Sequence, residues 1–174
     1  MDKKLVLIVG IVLVVSALSF ARSFLGLIGI IPWHYGYSDV FNEDRINPEL
    51  AKKVPYLESP IEYPVVTGFF IYLMWALGKN LLGYSLLTGM FLALCSALTS
   101  IILYKLCDSL NISKQRLYLF FVFAPSLIVF GVYNWDIIAV MFMVLALYLF
   151  HRGKYGWSSL FLAFGFNAKL FPVV

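Results

Sequence analysis

The sequence predicts an all-α, polytopic transmembrane protein with about five spans and with juxtamembrane helices in its first outer loop. Of its 174 residues, 62% are hydrophobic and 13% are charged, whereas a soluble domain carries about 25% charged residues. The mean hydropathy is +0.91. The lysines and arginines form short clusters between apolar runs, a distribution that sets membrane topology and does not indicate nucleic-acid binding.

Five apolar runs supply the predicted spans. The clearest is 81–104, because a run of that length crosses a hydrocarbon core of about 30 Å at about 1.5 Å per residue. The run at 5–20 resumes at 24–31, which makes it longer than the apolar region of a typical signal peptide, so we expect an uncleaved first helix. Three shorter runs cross if their flanking side chains reach the headgroups; they are 117–132, 137–150 and 158 to the C-terminus.

A sixth run, 65–77, is about 20 Å long as a helix and therefore too short to cross comfortably by itself. If it does not cross, the basic clusters all lie on the cytoplasmic side. We therefore predict a juxtamembrane or re-entrant helix that starts at Pro64 and ends at Gly78-Lys79-Asn80. The prediction is a single transmembrane domain over 1–174 in the cell membrane, with a cytoplasmic N-terminus and an outer loop at 32–80.

An acidic, aromatic segment, 32–64, interrupts the apolar sequence. It holds six of the nine carboxylates and three bases, so its local charge is −3 (three minus six) in a chain of net charge +4. The cysteines, Cys95 and Cys107, differ in expected depth and make a poor disulfide pair. The charge asymmetry indicates a functional site in the outer loop.

Three charged residues are predicted to converge at the outer face. Asp39 lies in the outer loop, and Asp136 opens the fourth span. Lys169 lies about 15 residues beyond the preceding cytoplasmic loop, roughly two-thirds of the way across the bilayer. A charge at such depth usually faces a protein interior or a cavity and marks function. The alternatives are a snorkelling lysine and an Asp136 that only caps its helix.

Other polar residues have more than one interpretation. His34 could act as a base, bind a phosphate or belong to an interfacial aromatic belt, and the belt is favoured. Arg22 could approach a phosphate or snorkel to the headgroups, and snorkelling is favoured. Three further loop carboxylates could hold a divalent cation, but exposed carboxylates are more often solvated; they are Glu43, Asp44 and Glu49. We therefore predict no metal and no cofactor.

Four short motifs stand out in the sequence: Tyr37-Ser38-Asp39-Val40, the segment 61–68, Tyr133-Asn134-Trp135-Asp136 and the segment 168–172. Their order and spacing resemble those of the GT-C superfamily of membrane glycosyltransferases. Within it the chain is most similar to glycosyltransferase family 87, which includes polyprenyl-phosphate-mannose-dependent mannosyltransferases. The segment Glu62-Tyr63-Pro64 also resembles the Asp-Tyr-Pro-Pro motif of dolichol-phosphate-glucose enzymes.

The resemblance implies transfer of a hexose, with mannose favoured, from a polyprenyl- or dolichyl-phosphate carrier to a hydroxyl of a lipid or glycan acceptor. Transfer would invert the anomeric carbon on the non-cytoplasmic side. Asp39 would be the general base, since a carboxylate can take the acceptor proton. Lys169 would stabilise the leaving phosphate. The remaining donor or substrate contacts would come from Asp136, Glu62, Tyr63 and His34.

GT-C enzymes usually have more spans than the five predicted here, so the chain is expected to be the N-terminal part of a larger module. Two non-enzymatic alternatives stay open. The charged residues could line the path of a transporter, which inverted repeats and broken helices would support. The aromatic outer loop could instead dock a partner in a membrane assembly.

Overall fold

The structure is a computed structural model that describes residues 2–41, 53–58 and 60–169. Its regular elements are helices, which confirms the all-α class. In chain order they are α1 (Lys3–Leu27), α2 (Trp33–Gly36), a 3₁₀ turn (Asp39–Phe41), α3 (Val65–Gly78), α4 (Leu81–Ser109), α5 (Lys114–Leu117), a π-helical turn (Tyr118–Val122), α6 (Pro125–Phe130), α7 (Asp136–His151) and α8 (Tyr155–Ala168).

Within the described residues, two helices are long and apolar enough to cross a membrane, α1 with 25 residues and α4 with 29. They pack along each other, and α4 also packs against α3 and α7. The apolar helices α3 and α7 are shorter, with 14 and 16 residues. The all-helical architecture is therefore established, while the number of spans and their orientation stay predictions.

The run at 117–132 is not the single helix that its apolar character predicts. It divides into α5, the π-helical turn and α6, with Ala124 in an extended conformation (ψ 124°) immediately before Pro125. Proline lacks a backbone N–H and disfavours helical geometry in the residue before it. The break therefore falls at Ala124, and α6 restarts with Pro125 in its first turn.

The predicted short helix after Pro64 is present as α3. It ends where the sequence indicates: Lys79 adopts a left-handed conformation (φ 60°), and its N–H donates to the Trp75 carbonyl oxygen. The Asn80 side chain then accepts from the Gly83 N–H (2.8 Å) and caps α4. These two caps reverse the chain within two residues, so α3 packs antiparallel to α4.

The segment that follows α1 begins with a close backbone contact between α1 and α2. A Cβ atom built on Gly26 would lie 2.6 Å from the Gly36 Cα, and one on Gly36 would lie 2.5 Å from the Gly26 Cα. No side chain fits such a gap without moving one of the two backbones. Glycine at both positions therefore fixes the path by which the chain enters the loop that carries Asp39.

Gly26→Ala and Gly10→Ala are expected to shift stability in opposite directions. Both glycines lie in α1, but a Cβ on Gly10 meets nothing within 4 Å. At Gly10 alanine gains up to about 1 kcal/mol of helix propensity, whereas at Gly26 the steric overlap costs about 1–3 kcal/mol. Thermal unfolding in detergent measures both variants. A Gly26→Ala protein as stable as Gly10→Ala would contradict the close contact.

A polar cluster joins the start of α1 to the end of α4. The Tyr104 hydroxyl donates to the Asp2 carboxylate and accepts from Lys114 Nζ (2.6 Å). Lys114 Nζ also lies 2.8 Å from Asp108 Oδ1. The hydrogen bond from Tyr104, with that from the Lys4 N–H, lowers the pKa of Asp2, and the interactions with Asp108 and then Tyr104 raise the pKa of Lys114. The cluster therefore holds this end of the bundle together in its charged state.

The Asp2 charge is expected to stabilise the fold only above acidic pH. Because the folded pKa of Asp2 is below its ordinary value of 3.8, the stabilisation is complete above that value and disappears as pH falls through the folded pKa. Asp2→Asn keeps an N-cap side chain but loses the charge. The difference in unfolding temperature between wild type and this variant should be constant from about pH 5 to 8 and vanish at strongly acidic pH. A difference that does not depend on pH would contradict the assignment.

Candidate functional site

The loop that carries Asp39 is anchored on the turn that precedes α7. The Ser38 side chain is fully buried, and its hydroxyl donates to the Val132 carbonyl oxygen (2.7 Å) and accepts from the Val40 N–H (3.2 Å). The Asp39 N–H donates to the Tyr133 carbonyl oxygen (2.8 Å). Two segments almost 100 residues apart in sequence are thus joined by buried hydrogen bonds, which are costly to break.

The Asp39 carboxylate is half-buried beside two tyrosines. Its Oδ1 accepts from the Tyr37 hydroxyl (2.7 Å), and the Tyr37 ring packs edge-on against the Tyr133 ring with a centroid distance of 5.6 Å. One hydrogen bond leaves further acceptor sites on a carboxylate. The group is thus oriented by its neighbours and retains the capacity to accept another proton donor.

Asp136 lies in the first turn of α7 and is held by Asn134. The Asn134 side-chain N–H donates to Asp136 Oδ2 (2.8 Å), and the Asp136 N–H donates back to Asn134 Oδ1 (3.0 Å). The other carboxylate oxygen, Oδ1, lies 2.7 Å from Lys169 Nζ. Asp136 therefore does not only cap its own helix, where its charge complements the positive end of the helix dipole. It also forms an ion pair with Lys169.

Lys169 follows the last residue of α8 and adopts an extended conformation (φ −156°, ψ 141°). Its side chain is 33% exposed and that of Asp136 is 40% exposed, so the ion pair is neither fully solvated nor sealed from solvent. The antiparallel hairpin of α7 and α8 explains the encounter, because it brings the start of one helix beside the end of the other.

Tyr63 also approaches this pair, with its ring centroid 5.7 Å from Lys169 Nζ. A hydrogen bond from the buried Thr67 hydroxyl to the Ala168 carbonyl oxygen (2.8 Å) ties α3 to the end of α8. The Tyr56 hydroxyl donates to the Tyr63 carbonyl oxygen (2.6 Å), and burial raises the pKa of Tyr56. Tyr63, just before α3, is thereby held near Lys169.

The remaining predicted site residues lie on the surface. Glu62 is exposed next to Tyr63. His34 is exposed on α2, where its ring packs against that of Tyr35 with a distance of 4.2 Å between the ring centroids. Over the part of the chain that the structure describes, no hydrogen bond or ion pair links His34 to Asp136 or Lys169. The structure therefore brings Asp39, Asp136, Lys169 and Tyr63 to one end of the bundle and leaves His34 at the periphery.

Glu43, Asp44 and Glu49 lie outside the described residues. Within 2–41, 53–58 and 60–169, no group of three or more histidine, cysteine or acidic side chains is arranged to hold a metal ion. The two cysteines are free thiols, with Cys95 buried.

Arg22 does not snorkel, and this prediction was wrong. Its guanidinium donates to the Tyr35 carbonyl oxygen (2.7 Å) and to the Val129 carbonyl oxygen (2.9 Å). It therefore links α1 to α2 and to the end of α6, beside the anchored loop. The reason is that these helix ends expose carbonyl groups that lack helical partners, and arginine can satisfy two of them at once.

A cavity of about 470 Å³ adjoins the site. Phe120, Phe121 and Leu127 line it from the broken segment, and Ile137 and Val140 line it from α7. Its polar lining includes Tyr133, Asn134 and Asp136. Sequence reasoning did not identify this cavity, because the break at Pro125 creates it; the proline in the middle of an apolar run was the signal.

Comparison of the chain with protein-family models, with curated proteins and with solved structures finds no match.

Proposed function

We propose that this chain is a membrane glycosyltransferase that moves a hexose from a polyprenyl- or dolichyl-phosphate carrier to an acceptor hydroxyl. The observation that carries the proposal is the convergence of two kinds of group. The Asp39 backbone is anchored on Tyr133, in the turn that leads into Asp136, and Asp136 is paired with Lys169. A half-buried carboxylate and a cation at one end of an apolar helix bundle supply the proton acceptor and the phosphate partner that this transfer requires.

In the proposed reaction the acceptor oxygen attacks the anomeric carbon while Asp39 takes the hydroxyl proton. The new bond joins the acceptor oxygen to the anomeric carbon, and the bond from that carbon to the phosphate oxygen breaks. The lipid phosphate leaves with the bonding electrons, opposite the attacking oxygen, so the configuration inverts. Lys169 stabilises the charge that develops on the phosphate. Asp136 orients Lys169 through the 2.7 Å ion pair.

Mannose is the favoured sugar, and the reaction is placed on the non-cytoplasmic face. The placement rests on the topology in which the basic clusters face the cytoplasm. Cysteine labelling at Leu57, an exposed residue of the outer loop, tests this placement. Labelling of Leu57→Cys from outside intact cells supports it, provided that the background from Cys95 and Cys107 is removed by substitution.

The transfer assay uses membranes that contain the chain and synthetic short-chain polyprenyl-phosphate donors with radiolabelled mannose or glucose. Transfer into lipid or glycan products that exceeds the level of control membranes supports the proposal. Absence of transfer from both donors, with the protein folded and present, contradicts it.

The Lys169–Asp136 pair also supports a second candidate, a transporter, because ion pairs at membrane depth are found along permeation paths. A transporter would move a labelled substrate across proteoliposomes without forming a new glycosidic bond. A labelled covalent product that remains after the donor has been extracted supports the glycosyltransferase and not the transporter.

A further inference from the structure

The cavity beside Asp136 has one apolar and one polar part. The apolar walls come from both sides of the break in the 117–132 segment and from α7, with Phe120, Leu127 and Val140 as examples. The polar part is formed by the turn before α7, where Asn134 and Asp136 hold each other through two hydrogen bonds. Such an arrangement suits a molecule with an apolar chain and a polar head.

The apolar part continues onto a strongly hydrophobic surface. Phe120 is 78% exposed, and its neighbours Leu119 and Phe123 are 66% and 57% exposed. A contiguous exposed apolar surface of this kind marks a contact with lipid or with a partner. The π-helical turn that presents these side chains is a rare element that is frequent at functional sites. A lipid chain could therefore enter the cavity laterally from this surface.

The polar part selects the kind of head. Of the residues that line this cavity in the described part of the chain, none is lysine, arginine or histidine, and one is the carboxylate of Asp136. Lys169 pairs with Asp136 at 2.7 Å but does not line the cavity. A phosphate head inside the cavity would therefore contact the carboxylate without a lining cation to bind it, and like charges repel. An uncharged head with hydroxyl groups can donate to the carboxylate and to the Asn134 amide oxygen.

We infer that the cavity binds a membrane amphiphile whose head is uncharged and bears hydroxyl groups. Its volume of about 470 Å³ lies within the range of about 300–1,000 Å³ that is typical of ligand sites. One further step rests on the proposed function: this amphiphile is the sugar acceptor of the transfer reaction. The carbonyl oxygen of Tyr133, a residue that lines the cavity, accepts from the Asp39 N–H at 2.8 Å, so the cavity adjoins the loop that carries the proposed base.

The test is photo-crosslinking, which requires no sugar transfer. The full chain in phosphatidylcholine nanodiscs is exposed to an alkyl glucoside that carries a diazirine in its chain, or to the alkyl phosphate with the same chain. Peptide mapping then measures labelling within residues 117–140. The glucoside is expected to label this segment at least about tenfold more than the phosphate, because it can form charge-assisted hydrogen bonds there.

Two tryptophan variants make the test specific to the cavity. Ala124 lines the cavity, so the indole of Ala124→Trp should obstruct it and remove most of the labelling. Ala163 is exposed on α8, away from the cavity lining, so Ala163→Trp should label as wild type does. Retention of labelling in Ala124→Trp, or equal labelling by glucoside and phosphate, would overturn the inference. Labelling as expected, together with failure of the transfer assay, would retain the binding site and reject the proposed function.

Discussion

Asp39→Asn is expected to lower the rate of sugar transfer by about 10²–10⁴-fold, the usual contribution of a general base. Asparagine has nearly the same size, and its backbone N–H can still donate to the Tyr133 carbonyl oxygen. Its amide oxygen can still accept from the Tyr37 hydroxyl, which is 2.7 Å from Asp39 Oδ1. The amide cannot take a proton from the acceptor, so the variant isolates that step. The measurement is the initial transfer rate at saturating donor.

Asp108→Asn is the matched control for Asp39→Asn. Asp108 receives the same substitution, but its side chain is exposed and pairs with Lys114, and it lies in the last turns of α4 away from the site. This control should transfer at the wild-type rate. Binding of a non-transferable donor analogue should be unchanged in Asp39→Asn. Wild-type transfer by Asp39→Asn would remove Asp39 from the mechanism.

The helices were largely predictable because their signals are local. Apolar runs set their positions, and proline or glycine set several of their ends, as Pro64 and Gly78 do for α3. The meeting of Asp136 and Lys169 was also predictable. Two short helices joined by a tight turn must run antiparallel, and this places the two residues at the same end of the hairpin.

The contacts that complete the site could not be predicted in the same way. Asp39 is docked by a backbone hydrogen bond to Tyr133, and such bonds leave no signature in the side-chain pattern. Arg22 was misassigned because its choice between headgroups and backbone carbonyl groups depends on which helix ends pack nearby. The break at Pro125 was not predicted, although a proline within an apolar run is its signal. The cavity beside it is lined jointly by the broken segment and α7, a combination that the pattern of either segment alone does not show.

Lys169→Gln is expected to lower transfer by about 10²–10³-fold, the usual cost of removing one group that stabilises developing charge. The loss should appear in kcat as well as in the KM for the donor, because the phosphate becomes more negative as its bond to the sugar breaks. Lys169→Arg keeps the charge and should recover part of the rate. It should not recover all of it, because a planar guanidinium cannot reproduce the contact of an ammonium 2.7 Å from Asp136 Oδ1.

A double-mutant cycle decides whether Asp136 acts through Lys169 or independently. If Asp136 only orients Lys169, Asp136→Asn should reduce transfer in the wild-type background and have little further effect in Lys169→Gln, because the group that it orients is absent. If Asp136 contacts the substrate itself, the two losses should multiply. Asparagine at 136 can still hydrogen-bond with Asn134, so the local turn is preserved. Unfolding temperatures of all four proteins separate these effects from loss of fold, since breaking a partly buried ion pair also reduces stability. Wild-type transfer by Lys169→Gln would reject the proposed role of the cation and leave the Lys169–Asp136 pair as a structural contact.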